Sequence, residues 1–268
     1  DAGAAARGAT LYVTLEPCAH QGKTPPCTEA VVAAGITRVV AAIRDPNPKV
    51  KGGGAAWLAR QGLEVRVGLL EEEASALNAP FLHWARTGRA AITLKLATSL
   101  DGRVATRGGD SQWITGPEAR TEAHRLRAAH DAVVVGAATV RADDPALTVR
   151  HVKGQNPARV VLDPRLTSPP DARWLKRGVR RVIVAGPRAS AKKAAAFEAA
   201  GAEVWRLPLD RTGGIELKTF AREAATRGFL GLMVEGGGRL AGAFLAARLV
   251  NSLRLFMAPL LLGGGRNW

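Results

Sequence analysis

Two cysteines, Cys18 and Cys27, are the residues of this sequence whose type and position most directly suggest chemistry. Cys18 follows a predicted strand in Glu16-Pro17-Cys18, and Cys27 precedes the next predicted helix. Thiolates bind Zn²⁺ well, and the positive end of a helix favours the deprotonated thiol that zinc requires. Two cysteines in 268 residues exclude a disulfide scaffold. Buried thiols, metal ligands and catalysis therefore remain the alternatives.

A second candidate site is the stretch 94–105, continued by 111–116. Ile92, Leu94 and Leu96 alternate with other residues, which predicts a half-buried strand carrying Lys95. Asp101-Gly102 then breaks the strand, and glycine permits a tight turn facing a ligand. An ordinary strand end with a solvated aspartate is the alternative.

A third candidate is the glycine run Gly236-Gly237-Gly238, which follows the apolar segment 230–234 and precedes a predicted helix near Arg239. Backbone N–H groups at such a helix start can bind a pyrophosphate. The run and Ala241 satisfy the pattern G-x-G-x-x-A, but no Asp or Glu follows Glu235, so the acidic residue of a Rossmann site is missing. We therefore predict a phosphate cradle in a non-Rossmann sheet that prefers NADP to NAD.

The net charge of +15 and the sequence pI of about 11.0 suggest an anionic partner. The arginines are scattered singly among alanine-rich helices, which favours phosphorylated small molecules over nucleic acid. No apolar run is long enough for a membrane span, and no basic-then-apolar leader precedes the first strand. A cytoplasmic location without membrane contact is the default expectation.

Alternating strands and helices must position these residues, and they predict an α/β protein with mainly parallel sheets in two domains, 1–87 and 88–268. In the first domain we predict strands at 10–15, 38–43 and 64–67, and helices at 29–34 (with Thr28 as N-cap), 55–61 and 71–87, with Gly88 as a hinge. In the second we predict strands at 91–98, 131–136, 159–163, 181–185, 203–207, 230–235 and 252–258, and helices at 117–130, 191–200, 216–227 and 239–249.

The segment from Glu16 to Cys27 contains Glu-Pro-Cys, His-x-Gly and Thr-Pro-Pro-Cys, with eight residues between the cysteines. It closely resembles the long-spaced zinc motif in the deaminase domain of the bifunctional riboflavin-biosynthesis deaminase-reductase family. The resemblance implies a partial cytidine-deaminase-like three-layer domain with Cys18 and Cys27 as zinc ligands. It also implies deamination of 2,5-diamino-6-(5-phosphoribosylamino)pyrimidinone by the intact protein.

In that family the third zinc ligand and the proton-shuttling glutamate belong to a His-Ala-Glu motif upstream of the first strand, whereas here no histidine precedes His20. His20, implied to line the substrate pocket, and Glu16, at a strand end, are poor substitutes. We therefore expect weak zinc binding and no deamination by the chain as given. We also expect this sequence to be a fragment of a longer protein. It would be truncated at the N-terminus, before Asp1, and at the C-terminus, after Trp268.

The second half resembles the reductase domain of the same family, so the resemblance covers nearly the whole chain. The matching segments, in order, are Lys95-Leu96-Ala97-x-Ser99-Leu100-Asp101-Gly102, Ser111-x-Trp113-Ile114-Thr115, Gly136-x-x-Thr139, Asp143-Asp144-Pro145-x-Leu147-Thr148-x-Arg150 and Glu235-Gly236-Gly237. The resemblance implies a dihydrofolate-reductase-like fold and NADPH as cofactor. The implied reaction reduces the ribosyl group of 5-amino-6-(5-phosphoribosylamino)uracil to ribityl.

The resemblance also implies site residues. The implied substrate contacts are Ser111, Arg127, Leu147, Arg150 and Glu235. The implied NADPH contacts are Ala97, Trp113, Thr139, Asp143, Gly237, Gly238, Arg239, Leu240, Ala241, Gly242 and Ala243. Our hypothesis for catalysis is that Lys95 polarises or protonates the opening sugar while Glu235 orients the base.

The residues themselves support part of this assignment. The guanidinium groups of Arg127 and Arg150 offer paired donors that suit a phosphate. A solvated helix face is the alternative for Arg127, and a turn cap is the alternative for Asp143.

Two other functions stay open. In one of them the first domain is only a structural remnant, and the protein is a reductase without a second activity. In the other, favoured only by charge, the protein is a nucleic-acid-binding relative of a base deaminase. The expected partner is a phosphorylated pyrimidine, with neither nucleic acid nor membrane, and self-association into a homo-oligomer is left open.

Overall fold

Short apolar strands alternate with helices in two separate units of the chain, Asp1–Gly88 and Arg89–Trp268. The computed structural model describes residues 2–22, 24–47, 53–109 and 114–266. All strand pairings in both units are parallel in the described ranges, so the parallel sheets predicted from the alternation are confirmed.

The first unit contains a three-stranded sheet in the order β1-β2-β3. Val39 to Ile43 of the central strand are buried, as expected for a strand with a neighbour on each side. A short 3-10 turn, Gly3–Ala6, precedes the sheet. The elements are β1 (Thr10–Leu15), α1 (Cys27–Ala33), β2 (Arg38–Ile43), α2 (Gly54–Arg60), β3 (Glu64–Val67), α3 (Glu71–Leu77) and α4 (Ala79–Thr87).

The predicted N-cap of the first helix is wrong. Helix α1 begins at Cys27, and Thr28 lies inside it with its side chain buried. Cys18 supplies the acceptors that a cap would provide: its carbonyl accepts from the Thr28 amide at 3.2 Å, and its Sγ accepts from the Cys27 amide at 3.4 Å. The first two amides of α1 therefore have acceptors without an N-cap at Thr28.

The single helix predicted over 71–87 is also wrong, because the chain forms two helices that meet at Asn78. Pro80 stands in the first turn of α4, where its missing N–H costs little, whereas inside a continuous helix it would break the ladder. The Asn78 side chain donates to the Ala74 carbonyl at 2.8 Å and so satisfies the end of α3. Gly88, predicted as a hinge, ends α4 in the left-handed conformation.

The second unit contains a seven-stranded sheet in the order β10-β4-β9-β5-β6-β7-β8. Helix α6 and a 3-10 turn at Arg173–Leu175 lie where no element was predicted. The elements are β4 (Ala91–Ser99), α5 (Pro117–Ala128), β5 (Ala132–Gly136), α6 (Ala137–Asp143), β6 (Ala158–Leu162), β7 (Arg181–Ala185), α7 (Ala191–Ala199), β8 (Glu203–Arg206), α8 (Leu217–Thr226), β9 (Gly231–Glu235), α9 (Gly238–Ala246) and β10 (Val250–Ala258).

The strand order brings distant parts of the sequence together. Strand β9 lies between β4 and β5, so its last residue, Glu235, reaches the same sheet edge as Ser99 and Gly136. Ligands of parallel sheets bind at the carboxyl ends of the strands, where loops and helix N-termini converge. A core that includes Trp174 and Phe197 packs beside β5, β6 and β7 and makes this edge a rigid support.

Candidate active site

Lys95 and Glu235 are neighbours across the centre of the second sheet. The register of β4 and β9 pairs Lys95 with Glu235, and paired residues of adjacent strands project to the same face. Buried Leu94 and Leu96 flank Lys95, which confirms the predicted alternation of β4. The Lys95 Nζ lies 5.6 Å from the centre of the Phe256 ring on β10, within cation–π distance.

Arg127 of α5 forms a two-pronged ion pair with Glu235. Its Nε donates to Oε1 at 2.6 Å and its Nη2 donates to Oε2 at 2.7 Å. Both side chains are largely buried, so the solvated helix face considered for Arg127 is not observed. A third donor, Nη1, reaches the carbonyl of Thr148 at 3.0 Å. The paired donors expected to face a phosphate therefore face a carboxylate of the protein.

This arrangement fixes the charges of the three groups. Burial alone raises the pKa of Glu235, but the hydrogen bonds and charge of Arg127 outweigh it, and the net shift is downward. The pKa of Lys95 is lowered because burial and the charge of Arg127 oppose protonation more than Glu235 favours it. A lowered pKa makes the Lys95 ammonium a stronger acid than an ordinary lysine, which suits a proton donor beside a fixed carboxylate.

The turn after Leu147 forms one wall beside Arg127. Leu147 has a φ of 52° and its side chain is buried in the core of the unit, so only its main chain is available to a ligand. Arg150 is exposed, and its Nη1 donates to the Thr148 hydroxyl at 2.8 Å. Burial, Arg127 and Arg173 together lower the pKa of Arg150. In the described part of the chain, no carboxylate pairs with this guanidinium.

The predicted cofactor run lies at the N-terminus of α9. Gly237 precedes the helix and is exposed, and a Cβ added to it would meet nothing within 4 Å. A Cβ on Gly236 would lie 3.4 Å from the Thr139 hydroxyl, which accepts from the Gly237 amide at 3.4 Å. Thr139, on helix α6, therefore lies beside the glycines at the start of α9. Within the run, Ala241 is buried, Gly238, Leu240 and Gly242 are half-buried, and Arg239 and Ala243 are exposed.

The loop after β4 carries the remaining predicted residues. Ala97 is half-buried on β4, whereas Ser111 and Trp113 lie outside the described residues. Asp101 accepts from the Ser99 hydroxyl at 2.6 Å and from the amides of Leu262 and Gly263 at 3.1 and 2.9 Å. It therefore joins this loop to the segment 260–266 instead of facing solvent alone. Asp143 is exposed at the end of α6, and the neighbouring Asp144 accepts from the Arg173 amide at 2.7 Å.

Sequence reasoning missed His124 and Asn156. His124 lies one turn before Arg127 on α5 and is 4% exposed, with its Nδ1 accepting from the Arg150 amide at 3.0 Å. The Asn156 side chain accepts from the Val149 amide at 2.7 Å. The i, i+3 spacing of His124 and Arg127 was a signal for a shared helix face. Nothing local in the sequence signals the role of Asn156.

In the first unit, Cys18 and Cys27 lie together at the start of α1. Their mutual hydrogen bond, followed by burial, raises the pKa of the Cys27 thiol. Glu16 does not face them as a proton shuttle would: it is buried and accepts from the amides of Asp45 and Ala55 at 3.0 and 2.8 Å. Among the described residues, no three His, Cys, Asp or Glu side chains form a group that would hold a metal ion.

Known proteins resemble nearly all of the chain. Residues 90–268 match the family model described as the RibD C-terminal domain. A Bacillus amyloliquefaciens protein described as riboflavin biosynthesis protein RibD is 44% identical over 265 residues, which cover 98% of this chain and 71% of that protein. No helix in the described ranges is both long and apolar enough to cross a membrane.

Solved structures agree with the sequence match. Acinetobacter baumannii RibD, form 1, superposes with a TM-score of 0.86 at 38% identity and covers 99% of this chain and 73% of that one. A Thermotoga maritima structure described as a diaminohydroxyphosphoribosylaminopyrimidine deaminase/5-amino-6-(5-phosphoribosylamino)uracil reductase has a TM-score of 0.82 at 36% identity, covering 97% and 70% of the two chains. The dihydrofolate-reductase-like fold expected for the second unit is confirmed. By sequence and by fold, the chain belongs to the RibD family of riboflavin biosynthesis proteins.

Proposed function

We propose that the second unit reduces the ribosyl group of 5-amino-6-(5-phosphoribosylamino)uracil to ribityl with NADPH. The observation that carries this proposal is the buried group of Lys95, Glu235 and Arg127 at the carboxyl end of β9, directly before the glycine run of α9. The description of the T. maritima relative as a reductase of that compound supports the substrate.

The glycine run fits a dinucleotide. The amides at the start of α9 lack partners within the helix, and the helix dipole favours a phosphate there. The missing Cβ atoms leave space above Gly237, and exposed Arg239 adds positive charge. We therefore assign the phosphates of NADPH to residues 237–243 with Thr139 beside them. Ala97, Trp113 and Asp143 remain proposed contacts. When bound, NADPH supplies the hydride.

Lys95 would supply the proton that the reduction also needs. The open-chain imine of the ribosylamine gains a hydride at C1′ and a proton at nitrogen, so the C=N bond becomes a C–N single bond with new C–H and N–H bonds. Lys95 holds its proton at Nζ near the Glu235 carboxylate, and its lowered pKa makes that proton easier to give. Glu235, fixed by Arg127, would orient the base of the substrate.

The substrate phosphate would face Arg150. The fork of Arg127 is occupied by Glu235, whereas Arg150 is exposed and is not paired with a carboxylate in the described residues. Arg127 then contributes positive charge nearby, Leu147 offers its main chain, and Ser111 remains a proposed hydroxyl contact.

An assay of substrate-dependent NADPH oxidation tests the proposal. We expect NADPH to be consumed in equal amount with the ribosyl compound, and mass spectrometry should find a product heavier by two hydrogen atoms. Ribose 5-phosphate is the control, and it should bind without oxidising NADPH. Binding of both ligands without a ribityl product would contradict the proposed reaction.

We also propose that the first unit is part of a zinc-dependent deaminase domain, with Cys18 and Cys27 as two of the zinc ligands. Two thiols meet at a helix start, but no third ligand joins them in the described ranges, and a settled zinc site needs four ligands. The residues therefore do not fit a complete site, and we derive no deamination from them. Zinc titration should give weak binding that Cys18→Ser abolishes; tight, stoichiometric binding would overturn this view.

A further inference from the structure

The turn 148–150 has main-chain groups that are held by side chains from outside it. The Thr148 carbonyl accepts from Arg127, the Val149 amide donates to Asn156, and the Arg150 amide donates to Nδ1 of His124. These bonds are 3.0, 2.7 and 3.0 Å long. The position of the Arg150 backbone is therefore set from helix α5, through His124.

Only a neutral imidazole can hold the turn in this way. An imidazolium has no acceptor atom, so the Nδ1 contact requires the proton of the ring to be on Nε2. The charged and titratable groups around His124 are Arg127, Arg150, His151 and Glu235. Burial, followed by the nearby cations, lowers the pKa of His124 to about 4, so the ring stays neutral at physiological pH. The His151 ring meets that of His124 edge-on, with centroids 4.6 Å apart.

Arg150 is the group that benefits from this support. Arginine loses much side-chain entropy when it binds, so a fixed backbone and the Thr148 hydroxyl contact reduce the freedom that the ligand must remove. The mutual repulsion of Arg127 and Arg150 would otherwise favour movement of the turn away from α5.

We propose that His124 is a positioning residue, which holds the Arg150 amide so that the Arg150 guanidinium faces the phosphate end of the substrate. This inference rests on the proposed function for the identity of the substrate. It differs from that function in assigning a role to a residue that touches neither substrate nor cofactor.

The test compares His124→Phe, which keeps a ring without an acceptor, with His124→Asn, whose Oδ1 takes the place of Nδ1. For His124→Phe we expect the KM of the ribosyl substrate to rise about tenfold, the equivalent of one lost hydrogen bond, with little change in kcat or in the KM for NADPH. His124→Asn should restore KM to within about threefold. Equal damage by both variants, or a loss confined to kcat, would overturn the proposal.

His130→Phe is the matched control, two residues after the end of the same helix, because the His130 ring meets the Leu126 carbonyl and the Thr93 hydroxyl and, among the described residues, makes no hydrogen bond to the turn. It should lower thermal stability without raising the substrate KM. In an Arg150→Gln background, His124→Phe should add no further increase in KM, since the guanidinium that His124 is proposed to position is already absent. An additive effect of the two changes would count against action through Arg150.

Calorimetry with ribose 5-phosphate separates this inference from the proposed reaction. His124→Phe should weaken binding of ribose 5-phosphate about tenfold and leave binding of ribose unchanged, whether or not the wild-type chain reduces the ribosyl substrate. Unchanged ribose 5-phosphate binding would refute the role of His124. Absence of NADPH oxidation by the wild type, with the calorimetric difference intact, would refute only the proposed reaction.

Discussion

Glu16 and Glu235 occupy corresponding places in the two units. Glu16 directly follows β1, Glu235 is the last residue of β9, and both side chains are buried. Their partners differ. Glu16 accepts from the amides of Asp45 and Ala55, whereas Glu235 accepts from the guanidinium of Arg127 and is paired in register with Lys95. Because its donors are main-chain amides, Glu16 joins two segments of the backbone. Because its donors belong to a guanidinium, Glu235 forms a buried ion pair.

The largest effect should come from removing Lys95, the lysine that is paired in register with Glu235. Lys95→Met should lower kcat for NADPH oxidation at least about 100-fold, because a proton donor is lost. The unfolding free energy of the wild type should rise with pH between the lowered folded pKa of Lys95 and its ordinary value of 10.5. In that range Lys95 is protonated in the unfolded state but has lost its proton in the folded state. The variant should lack this rise in urea unfolding. Wild-type kcat in Lys95→Met would refute the proton-transfer role.

Removing each glutamate charge tests the comparison itself. Glu235→Gln leaves Arg127 without its counter-charge and should cost about 3 kcal/mol of unfolding free energy, with kcat reduced as well. Glu16→Gln keeps one acceptor oxygen and should cost about 1 kcal/mol, with NADPH oxidation unchanged. Urea unfolding and steady-state kinetics measure both. The comparison fails if Glu16→Gln impairs kcat as strongly as Glu235→Gln does.

A smaller effect should appear on acidification. The pKa of His124 is about 4 in the folded chain and 6.5 as its ordinary value. As pH falls from about 6.5 to about 4 the unfolded state gains a proton that the folded state does not, so stability contributed by neutral His124 is lost across that window. The urea midpoint of the wild type should fall more steeply there than that of His124→Asn. Parallel curves would contradict the assignment.

The smallest effect should follow from Asp101→Ala. The change removes the acceptors of the Leu262 and Gly263 amides, so these two amides should exchange hydrogen faster in the variant. The melting temperature should change little because Asp101 is near the surface. Asp131→Ala is a useful control, since the Asp131 carboxylate accepts from the Leu230 and Gly231 amides at the start of β9. This variant should leave exchange at Leu262 and Gly263 unchanged. Unchanged exchange at Leu262 would show that Asp101 does not hold the segment.

Local pattern predicts much of the architecture. The alternation of Ile92, Leu94 and Leu96 gives strand β4 and its buried face, and glycine and proline mark most helix ends. Two details of the helices were predicted wrongly, for different reasons. The start of α1 depends on acceptors from Cys18, a contact that the helix residues themselves do not signal. The division of the helix predicted over 71–87 is local, because Pro80 cannot continue a helix and Asn78 satisfies the end of the one before it.

The site is less predictable than the strands that form it. Lys95 and Glu235 were both candidates, but their pairing depends on the insertion of β9 beside β4, a register that no short window contains. The capture of Arg127 by Glu235 likewise depends on where α5 packs. A guanidinium in the sequence predicts an anionic partner without saying whether the anion is a phosphate or a carboxylate of the chain.

The strand order also determines when each unit can assemble during synthesis. The first sheet joins three strands in the order in which they are made, so its contacts are available once β3 has emerged. The centre of the second sheet needs β9 and β10, and β4 must wait for both, with more than a hundred residues in between. Until then the backbone N–H and C=O groups of β4 lack their strand partners, an arrangement that favours aggregation. The group of Lys95, Glu235 and Arg127 therefore forms only after β9 has been made.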